Sequence, residues 1–114
     1  MSTIASRKQK ARRLQQFVRD LMLRFAESLA LDDVRSTPMG VSGEDIQLST
    51  AAREIYPWSV ECKAQEKVNV YKAYSQAQDN NTGDYEPIVF FSKNHHKPMV
   101  MLDAEYFVRM WRKQ

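Results

Sequence analysis

Along the first thirty residues, Leu14, Phe17, Val18, Leu21, Met22, Phe25 and Leu29 recur at intervals of three and four. That spacing predicts an amphipathic helix over about residues 8–30, with arginines on its other face. Leu31-Asp32-Asp33 ends it, and Val34-Arg35-Ser36-Thr37 reads as a first strand. Pro38, Gly40 and Gly43 mark a sharply turning segment before Glu44–Leu48, a short strand with Ile46 and Leu48 facing inward. Ser49–Glu54 forms one helical turn, stopped at Tyr56-Pro57. A strand over Trp58–Ala64 follows, then a helix over residues 66–78 with Val70, Tyr71, Tyr74 and Ala77 on one stripe. Asp79–Asp84 is turn chemistry. Ile88–Phe91 and Met99–Leu102 read as strands of a hairpin around the polar loop Ser92–Pro98. Asp103 is the expected N-cap of a last helix carrying Phe107, Val108 and Trp111. The order αβββαββα predicts a single α/β domain over 1–114, a mixed sheet flanked by helices. The basic helix occupies about 8–30, the central part 34–78, and the hairpin with the final helix 87–113.

One strand of this pattern carries charge where it should carry apolar side chains. Alternation puts Glu61 and Lys63 on one face of Trp58–Ala64, and Val60, Cys62 and Ala64 on the other. Asp45 is delivered from the preceding short strand. Two carboxylates and an ammonium converging on one point can hold a hard divalent cation and position a water, which is what phosphodiester hydrolysis requires. Asp45 and Glu61 would be ligands of Mg²⁺, assisted by the Cys62 backbone carbonyl, and Lys63 would orient the attacking water and meet the phosphate. Gln65, two residues on, either shares that face as a catalytic-site residue or ends the strand. The bland alternative is a solvated Glu–Lys pair on a half-exposed strand.

The chain has 114 residues, enough for one core, and its hydrophobic fraction of 43% is that of a folded protein. No apolar run reaches membrane-spanning length, the first residues lack the apolar stretch of a signal peptide, and the lone Cys62 precludes an intrachain disulfide. The expected setting is cytoplasmic, in a bacterial or archaeal cell or encoded by a phage. Net charge is +3, but residues 1–24 carry +6 and the remainder −3. Such asymmetry points to a polyanion, with DNA phosphates meeting Arg7, Lys8, Lys10, Arg12 and Arg13, and further contacts from Arg35, Ser36 and Ser42. His95 and His96 are adjacent in an exposed loop, a setting that suits phosphate contact or plain solvation better than zinc. The aromatic residues Tyr56, Trp58, Phe90, Phe91, Phe107 and Trp111 read as core or dimer interface.

Gly43-Glu44-Asp45-Ile46 followed by Val60-Glu61-Cys62-Lys63, between a basic helix and a helix-plus-hairpin, resembles the PD-(D/E)xK nuclease superfamily. Within it the chain looks most like the small Holliday junction resolvases of archaea and phages. The resemblance implies a restriction-endonuclease-like fold, Mg²⁺ (with Mn²⁺ substituting) on Asp45 and Glu61, Lys63 assisting the water, and a homodimer acting on branched DNA. Glu44 replaces the first residue of the "PD" pair, a structural position. Where those resolvases carry an acid in the first helix, this chain has Gln15, and Glu27, an acid further along, could substitute. Gln76 and Tyr74 resemble a glutamine that follows Glu-x-Lys in some relatives. Two alternatives stay open: a site-specific, homing-type endonuclease of the same fold, and a non-catalytic DNA-binding module.

Overall fold

The first helix, α1 (Ile4–Arg24), opens on Thr3, whose hydroxyl accepts from the Ser6 N–H at 3.0 Å. In the computed structural model, which describes residues 3–113, α1 thus begins and ends earlier than its periodicity suggests. Beyond Arg24 the chain closes two short turns, Ala26 N–H to Leu23 and Leu29 N–H to Ala26. The buried stripe is Leu14, Gln15, Val18 and Met22. Phe17 and Phe25 lie off it and are exposed, because Leu14, Val18 and Met22 at four-residue spacing already fill the contact with the sheet. Glu27 falls past the helix end and is exposed.

After a 3₁₀ turn at Leu31–Asp33, β1 (Val34–Ser36) pairs antiparallel with β2 (Ile46–Leu48), Ser36 opposite Ile46. The connecting loop turns at Pro38–Val41, where Gly40 takes φ +84 and the Val41 N–H reaches the Pro38 carbonyl, as a type II turn demands. Gly43 also adopts positive φ. Thr37 fixes the loop's end: its N–H donates to the Asp45 carbonyl at 2.9 Å and its hydroxyl to the Glu44 carbonyl at 2.5 Å.

A short helix, α2 (Thr50–Ile55), is capped by the Ser49 hydroxyl. Then β3 (Trp58–Ala64) pairs parallel with β4 (Glu86–Ser92), and β4 pairs antiparallel with β5 (Met99–Met101), a mixed three-stranded sheet. The crossover between β3 and β4 is α3 (Val70–Asp79), and α4 (Ala104–Arg112) closes the chain. One sheet face, Val60, Cys62, Ile88 and Phe90, packs with α1 and the β1–β2 hairpin around Ile46. The opposite face packs on α3 through Ala73, Ala77 and Val89. Expectation and structure part here: Tyr71 is 79% exposed, and the small residues Ala73 and Ala77 make the contact. Small side chains let α3 approach closely enough for the buried Ser59 hydroxyl to donate to the Ala77 carbonyl at 3.1 Å. The fold is α/β, a mixed sheet flanked by helices. Among the described residues no helix is long and apolar enough to cross a membrane.

Asp103 caps α4 as expected, accepting from the Tyr106 N–H at 2.8 Å. The helix itself buries no residue; Phe107, Val108 and Trp111 face outward. Its attachment runs through Leu102 and Tyr106, whose hydroxyl accepts from Trp58 Nε1 at 3.0 Å.

Glu44 is almost wholly buried and braces the loop ahead of Asp45. Its carboxylate meets Arg53 Nη2 at 3.0 Å and accepts from the Thr82 N–H and hydroxyl. Arg53 also donates to the Trp58 carbonyl and lies 4.0 Å over the Tyr85 ring. Removing one member of such a pair leaves a buried charge uncompensated. Arg53→Met is therefore expected to lower unfolding free energy by about 3 kcal/mol in urea titrations; a change within about 0.5 kcal/mol, the range of ordinary surface substitutions, would show that the pair is not structural.

Candidate metal and phosphate site

β3 presents its even-numbered backbone groups to β2 rather than to β4. The Val60 carbonyl accepts the Asp45 N–H at 3.0 Å, and the Cys62 N–H donates to Asp45 Oδ2 at 2.7 Å. Because the N–H and C=O of one strand residue point to the same edge, the Cys62 carbonyl also lies on the Asp45 side. Asp45 therefore stands where the next rung of the ladder would be, with its carboxylate at the strand edge.

The odd-numbered side chains of β3 point toward α3. Ser59 is consumed in locking that helix, which leaves Glu61 and Lys63 as the free functional groups of the face. Glu61 Oε1 lies 3.7 Å from Lys63 Nζ, and its Oε2 accepts from Asn80 Nδ2 at 3.3 Å. The pair is not a solvated one, since Glu61 is 6% exposed. The Asp45 carboxylate is close enough to act on Glu61 by its charge. Burial first, and Asp45 second, push the Glu61 carboxyl from 4.5 up to about 7, against the opposing pull of Lys63 and Asn80.

Two adjacent carboxylates, one of them held up by desolvation and by its neighbour, form a donor set that a dication would satisfy. Asp45, Glu61 and the Cys62 carbonyl offer oxygen ligands only, which suits Mg²⁺, an ion that commonly takes one or two carboxylates and keeps waters. Among the described residues no third His, Cys, Asp or Glu joins them. The Cys62 thiol lies on the opposite face, and burial followed by Asp45 and Glu61 pushes its pKa well up, so it stays a thiol.

Other expected site residues fall elsewhere. Gln15 is buried on α1, where its Oε1 accepts from the Ser36 hydroxyl at 2.6 Å. That bond ties the half-buried Ser36 to α1. Gln65 lies past the end of β3 and is exposed, its N–H bonded to the Ser92 carbonyl. The Gln76 side-chain oxygen is buried without a partner, on α3 one turn before Asn80. Arg35 and Ser42 are exposed, and Arg7, Lys10 and Arg13 line a groove that runs to Lys63, whereas Lys8 and Arg12 do not.

Asn80, Arg53 and Thr82 escaped sequence reasoning. Asn80 and Thr82 sit in a run of turn residues, and nothing in their spacing announces that one bonds Glu61 and the other Glu44. No protein family, curated protein or solved structure matches this chain.

Without metal, the folded chain holds a proton on Glu61 between pH 4.5 and about 7 that the unfolded chain has released. Stability contributed by this group is therefore expected to fall as pH rises through that window. Thermal melts in EDTA over that range would check this against Glu61→Gln, whose amide keeps the acceptor for Asn80 and should flatten the profile. Parallel wild-type and variant profiles would mean that Glu61 does not titrate there.

Proposed function

We propose that the protein is a divalent-metal-dependent DNA endonuclease of the restriction-endonuclease-like fold, acting on branched DNA in the manner of a Holliday junction resolvase. The observation that carries this reading is the meeting of Asp45 and Glu61 at the edge of β3, with Lys63 beside them. A carboxylate pair is costly to assemble in a half-buried site, and a divalent cation would relieve it.

Asp45, Glu61 and the Cys62 carbonyl would hold Mg²⁺, with Mn²⁺ substituting. The ion would supply charge neutralisation at the scissile phosphate and a more acidic water. The remaining work falls to the chain. Lys63 orients the attacking water and meets the phosphate, Asn80 fixes the Glu61 carboxylate, and the Cys62 N–H fixes that of Asp45. The basic residues of α1 supply non-specific attraction for the DNA backbone, so binding should weaken steeply with salt. A domain of this size has little room for a base-reading module, which favours recognition by shape.

Resolving a junction takes two symmetric cuts and therefore a twofold dimer. The exposed apolar side of α4, Phe107, Val108 and Trp111, is the surface a second copy would cover, being larger than scattered single exposures account for. Sedimentation should give twice the chain mass, and Trp111→Glu should return the monomer; a monomeric wild type at micromolar concentration would count against junction resolution.

A second reading, a non-catalytic DNA-binding module, is favoured by Gln15, which stands where an acid is expected and is occupied by Ser36. Cleavage of labelled four-way junction, fork and linear duplex with Mg²⁺, Mn²⁺ or EDTA separates the readings. Paired symmetric nicks in the junction are expected, abolished by EDTA. Lys63→Ala should slow them by roughly 10²–10⁴-fold. Site-specific cutting of linear duplex would instead indicate a homing-type enzyme, and binding without cleavage the non-catalytic module.

A further inference from the structure

Lys63 has a second neighbourhood besides the carboxylates. It lies at the floor of a groove of about 860 Å³ between the first half of α1 and the β4–β5 loop. One wall carries Arg7, Lys10 and Arg13; the other carries Lys93, His95 and His96. The single acid lining it, Glu66, is engaged: its Oε2 accepts the Asn94 N–H at 2.9 Å, which braces the loop wall against the end of β3. Phe17 also lines the groove, 44% exposed and off the buried stripe of α1.

The groove combines cations on two walls with an exposed ring on one of them. A phosphate chain satisfies the cations, and an unstacked base satisfies the ring; a paired base, already stacked on its neighbours, cannot.

We propose that this groove takes a single DNA strand, unpaired from its complement, and leads it to Lys63, with Phe17 stacking on a base. To the four-way junction the groove adds branched DNA that offers a free strand, such as a flap or a splayed fork, and it disfavours an unbranched, fully paired helix. The proposal rests on the nuclease reading for its catalytic consequence, but strand binding itself does not require cleavage.

Fluorescence anisotropy in EDTA with a labelled short oligothymidylate, and with blunt duplex of equal length, tests the groove alone. The wild type is expected to prefer the single strand. Phe17→Ala should weaken strand binding about tenfold, the range of one lost base stack. Lys10→Ala with Lys93→Ala, one from each wall, should weaken it further and reduce its salt dependence. Lys72→Ala, exposed on α3 and outside the groove, is the control, and melting curves certify that each variant is folded. Equal affinity for duplex and strand, or a Lys72→Ala effect as large as that of Phe17→Ala, would overturn the proposal. Cleavage in Mg²⁺ is scored separately. Groove-dependent strand binding without cleavage of any DNA would remove the nuclease and leave the groove; cleavage indifferent to Phe17 and Lys93 would remove the groove and leave the nuclease.

Discussion

Two hydrogen bonds from one residue hold the hairpin of β1 and β2 against the edge of β3. The Asp45 N–H bonds the Val60 carbonyl, and the Asp45 carboxylate takes the Cys62 N–H where a backbone carbonyl would continue a ladder. The side chain thus serves as a sheet rung and as the acid beside Glu61. Because both backbone partners belong to β3, the position of the carboxylate is set by strand geometry, not by a flexible loop. A site built on strand edges is held more tightly than one built on loops.

Everything immediately before Asp45 serves that placement. Gly40 and Gly43 let the loop turn, Thr37 ties down Glu44 and Asp45, and Glu44 turns the other way into a buried cluster with Arg53 and Thr82. Consecutive residues therefore divide the labour. Glu44 faces inward to a permanent cationic partner and is neutralised within the fold. Asp45 faces Glu61, where the charge is left uncompensated except by Lys63. That contrast between a satisfied acid and a strained pair gives the site its chemical character.

The sheet residues were legible because a period of two leaves little freedom: once Val60 and Cys62 face the core, Glu61 and Lys63 must share the other side. The cap at Asp103 and the hairpin around Ser92–Pro98 were legible for similar local reasons. The helix faces were less so. In α1 and α3 an aromatic residue at helical spacing looked like core, yet Phe17 and Tyr71 are exposed, because smaller neighbours allow closer packing than the rings would permit. Local pattern also says nothing of partners brought together by the fold. Asn80 reaches Glu61 only through the crossover of α3, and the two walls of the groove come from opposite ends of the chain.

The weak attachment of α4 has an optical consequence. Trp58 is half-buried, with its ring centre 4.9 Å from that of Tyr56 and its indole N–H bonded to Tyr106. Trp111 stands 66% exposed on the outer side of α4. The two indoles differ in exposure: a quencher in solution meets the second more readily than the half-buried first. Release of the final helix would break the Trp58–Tyr106 bond and expose the Trp58 indole to water, so a red shift of the half-buried indole reports the undocking of α4 from the sheet.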